Sequence, residues 1–135
     1  MLVTMVRTEW TVLDEEQLRS VLQTRDVRGG AEFWLAHAAT SAAEAPAYPA
    51  LNIRLYNASA CATYFPDEGH PGFRCCGGYN LDPNGVTNSV FDGCDPWTGE
   101  DAPNEFVFDT ETAFAVASEF MQNPSLPQSF RWFEL

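Results

Sequence analysis

The sequence predicts an α+β fold: a mostly antiparallel β-sheet with two principal α-helices packed on it. Three observations carry this. Short stretches with period-two alternation recur along the chain, two of them nearly adjacent; two other stretches switch to a 3.6-residue period; and Gly, Pro and Asn punctuate the intervals. No repeat, heptad or composition break divides the 135 residues, so residues 1–135 read as a single domain. A domain of this length hides roughly 68–70% of the surface its unfolded chain exposes. The 45% hydrophobic and 13% aromatic content suits such a core.

The first strand is read over residues 2–8, LVTMVRT, which alternates in part and carries β-branched side chains. A helix follows in LDEEQLRSVLQTR. Asp14 is its N-cap with Gln17 three positions on, a variant of the capping box, and Leu18, Val21 and Leu22 share one face. Gly29-Gly30 ends this unit, and residues 31–38 form the next strand. Residues 39–49, rich in Ala, Ser and Pro, form a loose connection. In LNIRLYN, Leu51, Ile53 and Leu55 face inward and Asn52 and Arg54 outward. A turn at Asn57-Ala58 brings the chain back as SACATYF, an antiparallel hairpin.

Pro66-Asp67-Glu68-Gly69 is turn chemistry leading into a short strand in GFRCCGGY. Residues 80–105 read as a long loop with one short strand, NSVFD, inside it. FVF is then a strand, and Asp109 or Thr110 caps a helix whose stripe is Ala113, Val116, Ala117, Phe120 and Met121. Asn123-Pro124 stops it, and SFRWFEL closes the fold, with Phe130 and Trp132 on one face and Arg131 and Phe133 on the other.

Charge excludes several functions. Nineteen acids stand against seven basic residues, all arginine, for a net charge of −12. Such a surface repels nucleic acid and anionic membranes and attracts a basic partner. Between Arg74 and Arg131 there is no cation, while nine acids fall in that interval, so a negative field is expected there. No export signal or bilayer-length apolar run is read, so the expected compartment is cytoplasmic, with the four cysteines as reduced thiols.

A metal site would draw on Cys61, His70, Cys75, Cys76 and Cys94, but no C-x2-4-C spacing exists, and buried thiols are the favoured reading. No metal or cofactor is expected. A nucleophilic cysteine needs a base and a positive environment; Cys76 with His70 is the one pair to test, in acidic surroundings that oppose it. No phosphate loop is present. His70 in a His-Pro-Gly turn is by default a surface ring without a task. Phe73 and Tyr79 fit either core or interface. Trp97, set among Asp95, Glu100 and Asp101, is either an interface anchor or a pin for its loop.

HPGFRCCGGYN, a variable acidic loop, and EFVFDTETAFAVASEFMQNPSLPQSFRWFEL together resemble the Imm-one family, immunity proteins of bacterial polymorphic toxin systems. The resemblance covers roughly residues 50–135. It rests on the glycine-containing turn from Gly69 to Gly78, on a helix with Ala113, Ala117, Glu119 and Phe120, and on Leu126-Pro127 before Trp132. A glycine expected near the end of the second helix is replaced by Asn123-Pro124, and Cys75-Cys76 stand where small or hydroxyl residues are more usual. The resemblance implies a non-enzymatic inhibitor held one-to-one by a cognate toxin, foremost a nucleic-acid (DNA cytosine) deaminase.

An acidic surface laid over a basic substrate groove competes with the polynucleotide. On this reading Asp67, Glu68, Asp92, Asp95, Glu100 and Asp101 meet cations of the toxin. His70, Phe73, Tyr79 and Trp97 complete the contact surface, the last three as aromatic anchors. An acidic chaperone or adaptor for another basic protein is the main alternative, and a small Cys/His hydrolase the third.

Overall fold

The computed structural model describes residues 1–5, 8–37, 47–77, 81–91 and 99–135. The fold is α+β. An eight-stranded antiparallel sheet carries two helices on one face. Its strands are β1 (Leu2–Met5), β2 (Thr8–Thr11), β3 (Gly30–Ala36), β4 (Ala50–Tyr56), β5 (Ser59–Phe65), β6 (Phe73–Cys75), β9 (Phe108–Asp109) and β10 (Trp132–Glu134). The order across the sheet is β10-β6-β5-β4-β3-β1-β2, with β9 paired to the Ser59 end of β5. Helices α1 (Glu15–Leu22) and α2 (Thr110–Gln122) cover the core face.

The alternation read in β4 and β5 sets this core. Leu51, Ile53 and Leu55 lie opposite Tyr64, Ala62 and Ala60, and all six are buried. Phe33 and Leu35 of β3 and Val3 of β1 continue the same face. Leu18, Val21 and Leu22 of α1, with Ala113, Val116, Ala117 and Phe120 of α2, close it from above. The caps follow the sequence. Asp14 Oδ1 accepts from the Gln17 N–H at 2.8 Å while Gln17 Oε1 accepts from the Leu13 N–H at 2.7 Å. Asp109 Oδ1 accepts from the Thr112 N–H at 2.7 Å, which holds the Asp109 carboxyl below its usual range. The helices are tied side by side: Ser118 and Gln122 donate to Glu15, and Arg19 meets Glu111 at 2.8 Å.

Several boundaries differ from the sequence reading. The expected first strand is two strands, because the chain reverses so that Val3 and Trp10 face the core opposite each other. Helix α1 stops at Leu22, where the Arg25 guanidinium takes the Leu22 and Thr24 carbonyls instead of a further turn. The long loop contains a second small sheet, β7 (Val86–Ser89) with β8 (Glu100–Pro103). Strand β7 ends at Ser89 rather than running on to residue 92, because Val90-Phe91 leaves the ladder and crosses the end of β3. A Cβ on Gly30 would overlap the Val90 carbonyl, so only glycine permits this crossing.

The β7–β8 hairpin lies over the sheet face opposite the helices, and this gives the protein its third layer. It explains why Asn52, expected to face outward into solvent, is buried at 4% exposure. Phe91, at 2%, is buried on the same side. Asn104 fastens the base of the hairpin: its amide donates to the Asp82 carbonyl and its oxygen accepts from Thr87, at 2.9 and 2.6 Å.

Candidate functional site

Strand register places one row of side chains across this outer face: Glu9, Thr4, Trp34, Asn52, Thr63, Arg74 and Phe133. The next row runs through Glu32, Arg54 and Cys61. Between the sheet and β7–β8 lies a solvent-open cleft, lined among others by Arg54, Arg74, Cys61, Phe91 and Phe106.

Arg54 is the hub of this cleft. Its guanidinium donates to Glu32 Oε2 at 2.8 Å and to Glu100 Oε1, and it lies 5.4 Å from the centroid of the Phe91 ring. Burial alone would favour the neutral form; the two carboxylates outweigh it and hold the arginine charged. One side chain therefore links β3 to β8 and so fixes the hairpin on the sheet. The Arg74 guanidinium lies 5.5 Å from the centroid of Phe106. Among the described residues no carboxylate pairs with it.

The residues expected to meet a partner are distributed as follows. Asp67 and Glu68 are exposed in the turn after β5, and Asp101 is exposed on β8, where it accepts from Asn88 at 2.9 Å. Asp67 adds to the upward shift that burial gives the Tyr64 hydroxyl, which puts its charge near the core-face edge of the sheet. Glu100 is engaged by Arg54, so it acts first as a fastening of the hairpin. Phe73 faces the core and stacks at 5.1 Å on His70, whose Nδ1 accepts from the Gly72 N–H. Tyr79, Asp92, Asp95 and Trp97 lie outside the described residues.

The turn 67–73 and the hairpin occupy different ends of β5. Phe65, at the turn, and Cys61, under the hairpin, are four positions apart, about 13 Å by strand rise. They are not one compact patch. What sequence reasoning missed is Arg54 as the link between layers, and Trp34. The parity of AEFWLA carries the signal for Trp34: Ala31, Phe33 and Leu35 face the core, so Trp34 faces out. Its ring sits 5.5 Å from that of Phe65.

Two of the thiols, Cys61 and Cys75, are set against nucleophilic chemistry. Burial pushes Cys61 up to about 11, against the opposing pull of Arg54 and Arg74. Burial, with neighbouring Cys76 and Cys61, pushes Cys75 up to about 12. His70 precedes β6 and Cys76 follows it. His70 stacks on Phe73, three residues from Cys76, about 10 Å along a strand. Among the described residues no three His, Cys, Asp or Glu side chains converge as metal ligands.

Alkylation at pH 8 is therefore expected to label Cys61 and Cys75 at least about 100-fold more slowly in the folded than in the unfolded chain, a factor of ten per pKa unit. Labelling at the unfolded rate would contradict this environment. Both folded pKa values lie above the free thiol's. The stability these groups carry is thus complete below about pH 9 and is lost as pH rises toward 11–12.

Among the described residues no helix is long and apolar enough to cross a membrane. Compared with protein-family models and with curated proteins, the chain matches none.

Proposed function

We propose that this chain is a cytoplasmic immunity protein that binds a nucleic-acid deaminase toxin one-to-one and covers its basic substrate groove, with no catalytic residue or cofactor of its own. The observation that carries this reading is the disposition of charge. Net charge is −12, and four of the seven arginines are engaged within the fold. Arg19 and Arg54 are paired with carboxylates, Arg25 binds carbonyls at the end of α1, and Arg28 donates to the Phe91 carbonyl. Acids on several elements, among them Glu9, Glu16, Asp67, Glu68, Asp101 and Glu105, are left exposed. A surface of this kind competes with phosphates for a cationic groove and speeds the encounter. The likeness of residues 50–135 to Imm-one proteins supports the deaminase as the target.

Co-expression with the product of the neighbouring gene, first shown to arrest growth alone, tests the reading, because an inhibitor restores growth and an adaptor that merely binds does not. Replacing Asp67, Glu68 and Asp101 with Asn or Gln should slow association at low salt by about tenfold and flatten its salt dependence. Glu100 is left intact in that variant because it holds the hairpin through Arg54. An unchanged low-salt association rate would mean that these acids do not steer the partner.

A further inference from the structure

The outer face of the sheet is covered only in part. The β7–β8 hairpin lies over the row of Arg54 and Cys61, while Trp34, on β3, is 36% exposed. Trp34 and Phe65 belong to strands separated by β4, yet their rings are 5.5 Å apart and inclined at 33°. They meet because the β4 residue opposite Phe65 is Ala50, whose side chain is too short to part them. Gly72 completes the support: at φ 103° it lies against Thr63 and Phe65, and a Cβ there would come within 3.0 Å of the Phe65 ring. The aromatic pair is therefore held in place from below and beside, while the Trp34 ring keeps a solvent-facing part.

The charge around the pair has one sign in excess. The outer face carries Glu9, Glu32, Glu100 and Asp101 against Arg54 and Arg74. Arg54 is paired with Glu32 and Glu100, and Arg74 offsets one further acid, so the face stays net negative, with Glu9 in the same cross-strand row as Trp34. Asp67 and Glu68 come two and three residues after Phe65, exposed in the turn beyond Pro66. An aromatic face in a negative field recognises a cation that is also flat. Arginine meets both requirements: it stacks on indole, sheds water more readily than an ammonium, and leaves its N–H groups free for nearby carboxylates.

We propose that the Trp34–Phe65 pair is the central anchor of the docking surface, and that its occupant is an arginine side chain presented by a basic partner protein. The proposal rests on the inhibitor reading above for the partner's identity, and it replaces an anchor in the acidic loop with one on the rigid sheet. Interfaces concentrate binding energy in such buried aromatic and arginine contacts, ringed by polar residues that exclude water.

The test uses the full chain, its Trp34→Ala and Trp34→Phe variants, and two readouts. In the first, a nucleic-acid deaminase toxin is titrated with each variant. Trp34→Ala should weaken inhibition by about 30-fold, and Trp34→Phe, which keeps an aromatic face, should stay within a few-fold of the parent. If the parent inhibits and Trp34→Ala inhibits equally well, the anchor is overturned and the inhibitor reading stands. If the parent itself does not inhibit, the inhibitor reading is overturned and the second readout decides the anchor. There, oligoarginine and oligolysine peptides are titrated against the isotope-labelled chain. Shifts centred on the Trp34 indole N–H and Phe65, stronger with arginine, support the anchor. Shifts spread evenly over the acids of α1, or equal for the two peptides, overturn it.

Discussion

Phe120→Ala is expected to cost about 3–5 kcal/mol of folding stability. The side chain is fully buried where α2 meets the sheet. Its ring contacts Tyr64 of β5 edge-on at 6.3 Å and His37 at 5.3 Å. His37 also donates from Nε2 to the Phe120 carbonyl at 2.7 Å, so the same residue ties the chain just after β3 to the helix. Truncation leaves a cavity bounded by β5 and α2, two rigid elements that cannot collapse into it. Urea unfolding monitored by near-ultraviolet circular dichroism reads the cost directly. A loss under about 1 kcal/mol would mean that this contact is not central to the core.

Gly30→Ala is the second large effect, and it acts on the opposite face. The added methyl would overlap the Val90 carbonyl and press on the Phe91 side chain. Either the backbone shifts or residues 90–91 lift from the sheet, taking Phe91 from 2% exposure into water. A cost of about 3 kcal/mol is expected, the upper end of the range for forced overpacking. The outcome has a local signature. Protease should cut the hairpin between residues 81 and 103 well before the helices unfold, and far-ultraviolet circular dichroism should change little. Stability and protease resistance equal to the parent would show that the hairpin does not depend on this crossing.

Features encoded by neighbours in sequence were legible from the sequence. The β4–β5 hairpin follows from strict alternation around Asn57, which takes a left-handed φ of 54° at the turn. Both helices follow from a 3.6-residue stripe behind an Asp cap. What escaped depends on partners far along the chain. Glu-Asp-Ala-Pro has little strand character, yet β8 forms because β7 and Asn104 offer it a ladder and an anchor. Arg54 reads as an outward, solvated cation until Glu100, forty-six residues on, is laid across it. The acids from residue 82 to 119 lack a cation within their own stretch, but Arg54 and Arg19 reach Glu100 and Glu111 from elsewhere in the fold. Of the candidate site, the sequence carried the charge and the exposed turn. It did not carry the third layer, which assigns Glu100 to the hairpin and leaves Trp34, with Phe133, among the described aromatic rings facing out.

The central claim is that an acid-rich chain occupies the cationic groove of a nucleic-acid deaminase in place of its substrate. Titration of the chain into a nucleic-acid deaminase toxin acting on a single-stranded oligonucleotide tests this most directly. The account predicts complete inhibition at a one-to-one ratio, competitive with the oligonucleotide and weakening as salt is raised. Residual activity at excess inhibitor, or inhibition indifferent to both oligonucleotide concentration and salt, would contradict it.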